Sequence, residues 1–469
     1  MKKGQIYEGL VEQYEFPNKG IVIYKEDDNE HKVVIKGALP GQRVRFVLSK
    51  KRSGRCEGRL TEVIEKSDIE DRIPFCPVYR QCGGCSLQKV SYDNQLSLKG
   101  DMVKSIMDNV IKGDYVFEGI LGSPFEWAYR NKMEFSFGDE YKDGPLSLGL
   151  HKKGSFHDIL TTSECKIVND DYNNILSTVL DFFRELGFPF YHKMRHTGYL
   201  RHLVIRRSVK TSEILINVVT TGNFDELPEC RKYREDGIYE DLRDRLLELD
   251  LYGSIEGILH TYNDSLADVV QSDKTDIVYG RDYITEQLLG LEFKISTFSF
   301  FQTNTLGAEV LYSKAREFVG ETKDKVVFDL YSGTGTIAQI IAPVAKKVIG
   351  VEIVEEAVEA AKENAALNGL NNCSFIAGDV LKVIDNIDDK PDLIILDPPR
   401  DGIHPKALTK IIDYGVDKLV YISCKPTSLA RDLEMLQERG YRVERVCAVD
   451  MFPQTYHVEC VTLLQRKNT

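Results

Sequence analysis

From about residue 295 to the end, short apolar runs alternate with helical stretches. KVVFDL, KVIGVE, CSFIAGD, DLIILD, KLVYISC, YRVERVCAVD and HVECVTLLQR read as strands, and segments such as AVEAAKENAALNG read as the helices between them. Parallel strands need a long crossover, which a helix supplies, so this alternation confines the C-terminal part of the chain to a parallel sheet wrapped by helices. In such sheets ligands bind beyond the carboxyl ends of the strands, and the residues at those ends are where chemistry is to be sought.

The rest of the chain has a different rhythm. Residues 1–60 contain the β segments QIYEGLVEQYE, GIVIYK, HKVVIKG and RVRFVLSKK, broken by Gly and Pro, the pattern of a small β-barrel. Cys76, Cys82 and Cys85 cluster next, residues 92–112 read as a helix, and residues 127–220 read as rich in β-structure. The expected fold is multidomain α/β: an OB-like barrel over 1–62, a central α+β domain with the cysteine cluster over 63–290, and a Rossmann-like domain over 291–469. Residues 92–124 are expected to pack on that last domain.

No apolar run approaches the roughly 20 residues that cross a bilayer. The start, MKKGQIYEGLVEQYE, turns charged too soon for a signal peptide, so cytoplasmic residence is expected. Ten cysteines in such a chain read as metal ligands, nucleophiles or core residues rather than a disulfide framework. A net charge of -12 opposes nucleic-acid binding as a total, but the charge is unevenly spread. Residues 1–60 hold thirteen Lys and Arg against eight acids, and residues 191–210 hold six and no acid. In that second stretch Lys193, Arg195, Arg201, Arg206, Arg207 and Lys210 interleave with Tyr191 and Tyr199, which suits single-stranded RNA as well as it suits a solvated strand face.

Within the C-terminal part, the strand ending at Leu330 runs into Tyr331-Ser332-Gly333-Thr334-Gly335-Thr336 and then a helix. Glycines there let the backbone approach a ligand. Gly333, Gly335 and Ala338 satisfy G-x-G-x-x-A, and Glu352 at the end of the next strand suits a ribose, so a nicotinamide dinucleotide and S-adenosylmethionine both remain open. Asp379 ends a third strand and Asp397-Pro398-Pro399-Arg400 a fourth; paired prolines stiffen a loop at a substrate rim, though a plain strand-to-helix turn reads the same way. Cys424 ends the fifth strand, where neighbouring Lys425 is expected to favour the thiolate. Glu459 is an acid inside the apolar run HVECVTLL, costly to bury unpaired. If the last strand runs antiparallel, its start lies at the same rim as Cys424. Nucleophile and base then stand together; the alternative is a core cysteine and an ion-paired glutamate.

EGLVEQYEFPNKGIVIY followed by GALPGQRVRFVL resembles a TRAM domain, an RNA-binding module. FFQTN (300–304), DLYSGTGTIA (329–338), DPPR (397–400), YISCKP (421–426) and DMFPQTYHVE (450–459), in that order, resemble the RNA uracil-5-methyltransferases, including bacterial ribosomal and transfer-RNA enzymes. The resemblance spans almost the whole chain and implies a class I, S-adenosylmethionine-dependent enzyme. It implies that Gln302, Tyr331, Glu352 and Asp397 line the cofactor and uracil site, with Cys424 as nucleophile at C6 and Glu459 as acceptor of the C5 proton. It also implies a [4Fe-4S] cluster on Cys76, Cys82, Cys85 and Cys165, whereas spacing alone leaves zinc open. The C-x3-C-x2-C motif of radical adenosylmethionine enzymes is absent. Barrel and cysteines together tilt the expected substrate toward 23S ribosomal RNA over transfer RNA, with the enzyme a monomer. A non-catalytic RNA-binding protein is the alternative of another class. Cys56, Cys230, Cys373, Cys447 and Cys460 are assigned ordinary positions.

Overall fold

The computed structural model describes residues 1–26, 29–52, 55–267 and 269–466. Strands Ile6–Glu15, Lys19–Glu26, Asn29–Lys36, Arg43–Arg52 and Arg55–Glu65 close into a barrel. Alternation along them sends Val11, Val22, Val33, Ile35, Val44, Phe46 and Leu48 inward. Gly58 is required where the wall meets the core, because a Cβ there would stand 2.6 Å from the Phe46 ring.

The central region is built on a seven-stranded sheet whose middle is formed by Lys132–Asp139, Leu200–Arg207, Glu213–Thr220 and Ser254–Tyr262. Two helices, Asp170–Leu186 and Glu235–Leu247, pack on it, and the first interrupts the stretch read as β-rich. Its residues repeat at helical spacing, burying Tyr172, Ile175, Leu176, Val179 and Phe183, and Asn169 caps its start while left-handed Gly187 ends it. The hairpin Tyr283–Leu288 with Leu291–Ser296 spans the boundary placed at 290–291. The change of pattern near 295 marks the end of the hairpin, and its turn, Leu289-Gly290, lies a whole strand earlier.

The C-terminal sheet has eight strands, ordered Cys373–Ala377, Ala345–Glu352, Thr322–Leu330, Leu393–Leu396, Lys418–Ser423, Glu459–Arg466, Tyr441–Val449 and Val116–Leu121. The first five run parallel. Glu459–Arg466 inserts antiparallel between Lys418–Ser423 and Tyr441–Val449, pairing Ser423 with Cys460 and Val449 with Glu459. The edge strand Val116–Leu121 comes from far upstream and pairs parallel to Tyr441–Val449, while the helix before it, Tyr92–Val110, packs against helix Pro426–Glu438. Residues 92–121 therefore belong to the catalytic sheet and its covering layer. Among the described residues no helix is long and apolar enough to cross a membrane.

Candidate active site

Antiparallel insertion of the last strand decides the geometry of the rim. Cys424 follows Ser423 at the end of a parallel strand, and Ser423 pairs with Cys460, so Glu459 begins its strand directly beside Cys424. Asp397 leaves the neighbouring strand Leu393–Leu396 at the same level. Cys424 is half-buried, whereas Glu459 is 3% exposed.

Crowding three acids in one dry rim moves all of their equilibria upward. Burial, then the carboxylates of Glu459 and Asp397, push the Cys424 thiol up to about 12, and the Arg400 guanidinium pulls the other way. Burial raises Asp397 to about 7. Burial and the Asp397 charge raise Glu459 to about 8, again opposed by Arg400. Lys425, expected to favour the thiolate, instead reaches Asp401 at 3.5 Å, and the cation beside the thiol is Arg400. Arg400 in turn lies 2.9 Å from His457 Nδ1. Burial first, then Arg400, Lys99 and Arg130, lower His457 to about 4, so that ring is neutral among cations.

Gln302 lies on the loop 297–304, which the central sheet holds in place. Asn131 Nδ2 donates to the Gln302 carbonyl at 2.9 Å, and Arg206 donates to Thr297 O at 3.0 Å and to Ser299 O. The Gln302 side chain lies near the hydroxyl of Tyr312, a buried residue of helix Thr305–Val319 whose hydroxyl pKa is raised by burial and by the Asp397 and Glu459 charges. Tyr312 escaped the sequence reading because its helical spacing is that of a core residue.

The turn 331–336 follows the neighbouring strand Thr322–Leu330. Tyr331 adopts φ +68° and Gly335 φ +72°. A Cβ on Gly335 would stand 2.4 Å from the Phe375 ring, so glycine is needed there for packing as well as conformation. Glu352 accepts from Gly333 N at 2.9 Å, Ile353 N at 2.9 Å and Val354 N at 3.0 Å, which fixes its carboxylate at the turn. Phe300 and Ile353 leave 66% and 67% of their surfaces exposed, and a Cβ on Gly333 would stand 3.8 Å from the Phe300 ring. Asp379 sits at the end of the next strand but one, capping Leu381 N at 3.0 Å. An acid, exposed apolar side chains and a nearby thiol are chemically suited to an adenosyl donor.

Comparison with known proteins now discriminates between the two cofactor readings. Residues 257–467 match the model of the tRNA (uracil-5-)-methyltransferase family. An uncharacterized RNA methyltransferase of Clostridium tetani is 49% identical over 100% of this chain and 99% of its own length. This chain belongs to that family of RNA methyltransferases. A relative described in the same words from Halalkalibacterium halodurans is 36% identical over 100% of this chain and 98% of its own length. Pyrococcus abyssi tRNA (uracil-54, C5)-methyltransferase, solved with S-adenosyl-L-homocysteine, superposes with a TM-score of 0.72 at 25% identity, covering 98% of this chain and 100% of that one. The methyltransferase is thus S-adenosylmethionine-dependent, and the dinucleotide reading falls.

Of the basic stretch 191–210, much is internal to the methyltransferase. Arg201 and Arg206 are 3% and 2% exposed; Arg201 caps the carbonyls of Asn263, Ser265 and Ala267, and Arg207 pairs with Asp171 at 2.8 Å. The strand Leu200–Arg207 is buried along almost its whole length, so charges on either face enter the protein, where carbonyls and acids compensate them. Lys193 and Arg195 stay at the surface.

Cys76, Cys82, Cys85 and Cys165 are free thiols. Burial raises Cys85 to about 12, opposed by Gln88 and helped by the charges of Cys165, Cys82 and Cys76, so the four cysteines lie in one electrostatic neighbourhood. Gly84 N donates to Cys82 Sγ at 3.3 Å, a bond that suits a thiolate ligand. Among the described residues no three His, Cys, Asp or Glu side chains converge tightly enough for a single metal ion.

Proposed function

We propose that this methyltransferase converts a uridine of 23S ribosomal RNA to 5-methyluridine through a covalent adduct between Cys424 and C6 of the base. The observation that carries the reading is the register of the last strand, which sets Glu459 beside Cys424. C5 of uracil is too weak a carbon nucleophile to take a methyl group unaided. Addition of the Cys424 thiolate, formed by loss of the thiol proton to solvent, at C6 gives C5 enolate character. S-adenosylmethionine, when bound, supplies an electrophilic methyl. Glu459 then takes the C5 proton, and the electron pair left behind reforms the C5–C6 double bond as the Cys424 thiolate leaves. Asp397 and the Gln302 amide have the donors and acceptors to orient the base, and Arg400 opposes the negative surroundings of the sulfur. Tyr331 and Glu352 hold the donor. Because a base must leave its stack to reach the rim, the substrate is a loop or other unstacked segment. The barrel serves as the RNA-binding module, and the protein acts as a cytoplasmic monomer.

Ribosomal RNA is favoured by the joint presence of a TRAM-like barrel and the four cysteines. Transfer RNA is the second reading, because the Pyrococcus transfer-RNA enzyme aligns over the whole chain, barrel included. Transfer of labelled methyl to ribosomal and transfer RNAs lacking 5-methyluridine, followed by nucleoside analysis, tests both; no label in either overturns the reading. A Cys424→Ala protein that still forms 5-methyluridine overturns the adduct.

We also propose that Cys76, Cys82, Cys85 and Cys165 hold a [4Fe-4S] cluster whose role is structural or in RNA contact, since methylation has no net redox step. Protein purified without oxygen is expected to show broad visible absorption with iron and sulfide in equal amounts. Stoichiometric zinc instead overturns it.

A further inference from the structure

Between strand Tyr441–Val449 and Glu459 the chain makes the loop 450–458, and most of what holds this loop comes from residues 86–129 rather than from the catalytic sheet. Its centre is Gln454, 0% exposed and at φ +68°, a left-handed conformation that a non-glycine residue keeps only when its surroundings impose it. Every hydrogen-bonding group of Gln454 is used. Its carbonyl accepts from Ser86 N at 2.8 Å and Leu87 N at 3.0 Å, the two residues after Cys85. Its N–H donates to Gln95 Oε1 at 2.9 Å, and its Oε1 accepts from Gln95 Nε2 at 3.0 Å, closing a two-point amide clamp. Its Nε2 donates to Glu126 Oε2 at 3.1 Å. On either side, Lys99 holds the Phe452 carbonyl at 3.2 Å and Tyr129 the Pro453 carbonyl at 3.0 Å.

We propose that Gln454 is a positioning residue, through which the cysteine-bearing segment and helix Tyr92–Val110 hold Glu459 in place for removal of the C5 proton. The inference rests on Glu459 being the base. Since Gln454 is wholly buried and its polar groups are satisfied within the protein, it has no surface or free donor to offer RNA, and its task is internal. Glu459 is five residues further on at the start of a strand, so the loop's anchorage sets where that strand begins. Proton abstraction needs heavy atoms within hydrogen-bond reach, and a misplacement of about 1 Å can cost on the order of 100-fold in rate. Methyl transfer precedes this step and does not use Glu459. A loosened loop should therefore leave the enzyme stranded after methylation, as a covalent complex with methylated RNA.

Gln454→Gly is the direct test, because glycine accepts the left-handed backbone and keeps the bonds of the main chain while the side-chain half of the clamp and the bond to Glu126 are lost. Gln95→Met opens the same clamp from the helix side and serves if the first variant folds poorly. With Glu459→Gln as reference, the expected result is a roughly 10-fold or greater fall in kcat with KM for RNA little changed. Covalent protein–RNA complex carrying labelled methyl should accumulate on denaturing gels, as in Glu459→Gln. If Glu459→Gln traps the complex but folded Gln454→Gly and Gln95→Met turn over within twofold of the unaltered enzyme without it, the positioning role is refuted. A rise in KM alone also refutes it, since that marks a part in RNA binding. If Glu459→Gln itself traps no complex, the base assignment falls and takes this inference with it.

Discussion

Lys99 and Asp450 form an ion pair of 2.7 Å whose side chains are 1% and 0% exposed, joining helix Tyr92–Val110 to the end of strand Tyr441–Val449. Burial lowers the Lys99 pKa while Asp450 raises it, so desolvation and partner oppose each other. Lys99→Met would leave the Asp450 carboxylate buried with the Phe452 N–H, 3.1 Å away, as its remaining close donor. Removing one partner of a buried pair costs about 3–5 kcal/mol, because the other charge is left uncompensated. Replacing both charges, Lys99→Met with Asp450→Asn, removes the stranded charge and leaves mainly the lost bond from Lys99 to the Phe452 carbonyl, a cost of about 1–2 kcal/mol. The double variant should therefore be more stable than the single one by about 2–3 kcal/mol. Urea unfolding followed by circular dichroism and by fluorescence of Trp127, the one tryptophan of the chain, measures both. A Lys99→Met protein within about 1 kcal/mol of the unaltered one, or a double variant no better than the single, would refute the reasoning.

The carboxyl of Glu459, raised to about 8, must be ionised to act as a base, so kcat/KM should climb with pH through about 7–8 and lose that inflection in Glu459→Gln. The same shift acts on stability in the opposite sense. A carboxyl that holds its proton more tightly when folded stabilises the fold at low pH, and this contribution is lost as pH rises from about 4.5 to about 8; denaturation midpoints of the Gln variant should be flatter across that window. Gly335→Ala forces a side chain against Phe375 at a positive φ and is expected to cost about 2–4 kcal/mol and to abolish S-adenosylhomocysteine binding by calorimetry; normal binding would show that the turn gives way. Arg206→Met frees the carbonyls of Thr297 and Ser299 and should loosen the Gln302 loop, lowering kcat/KM for RNA by about 10-fold or more with the fold retained by circular dichroism.

The parts legible from the chain alone are those that depend on local pattern. Alternating apolar runs marked the barrel strands and the parallel strands, and the motif order led to the methyltransferase family, later met in the full-length relatives. Residues whose meaning depends on which face they present were misread. Arg201 and Arg206 count as positive charge in a sequence, but the strand that carries them is buried on both faces and sets them against loop carbonyls. Lys425 adjoins Cys424 in sequence yet turns to Asp401, while Arg400, from a different strand, supplies the charge beside the sulfur.

The sequence by itself determined which chemical groups are available, because the rim cysteine, the acids, the glycine turn and the cysteine cluster are each written in short contiguous motifs. What only the tertiary structure decided is how they meet. The pairing of Ser423 with Cys460 sets Glu459 beside Cys424, and Gln95 and Gln454, 359 positions apart, close one clamp. Such contacts join segments with no local code for each other: they follow from strand order and from the need of every buried polar group for a partner, and both are satisfied only when the whole chain has folded.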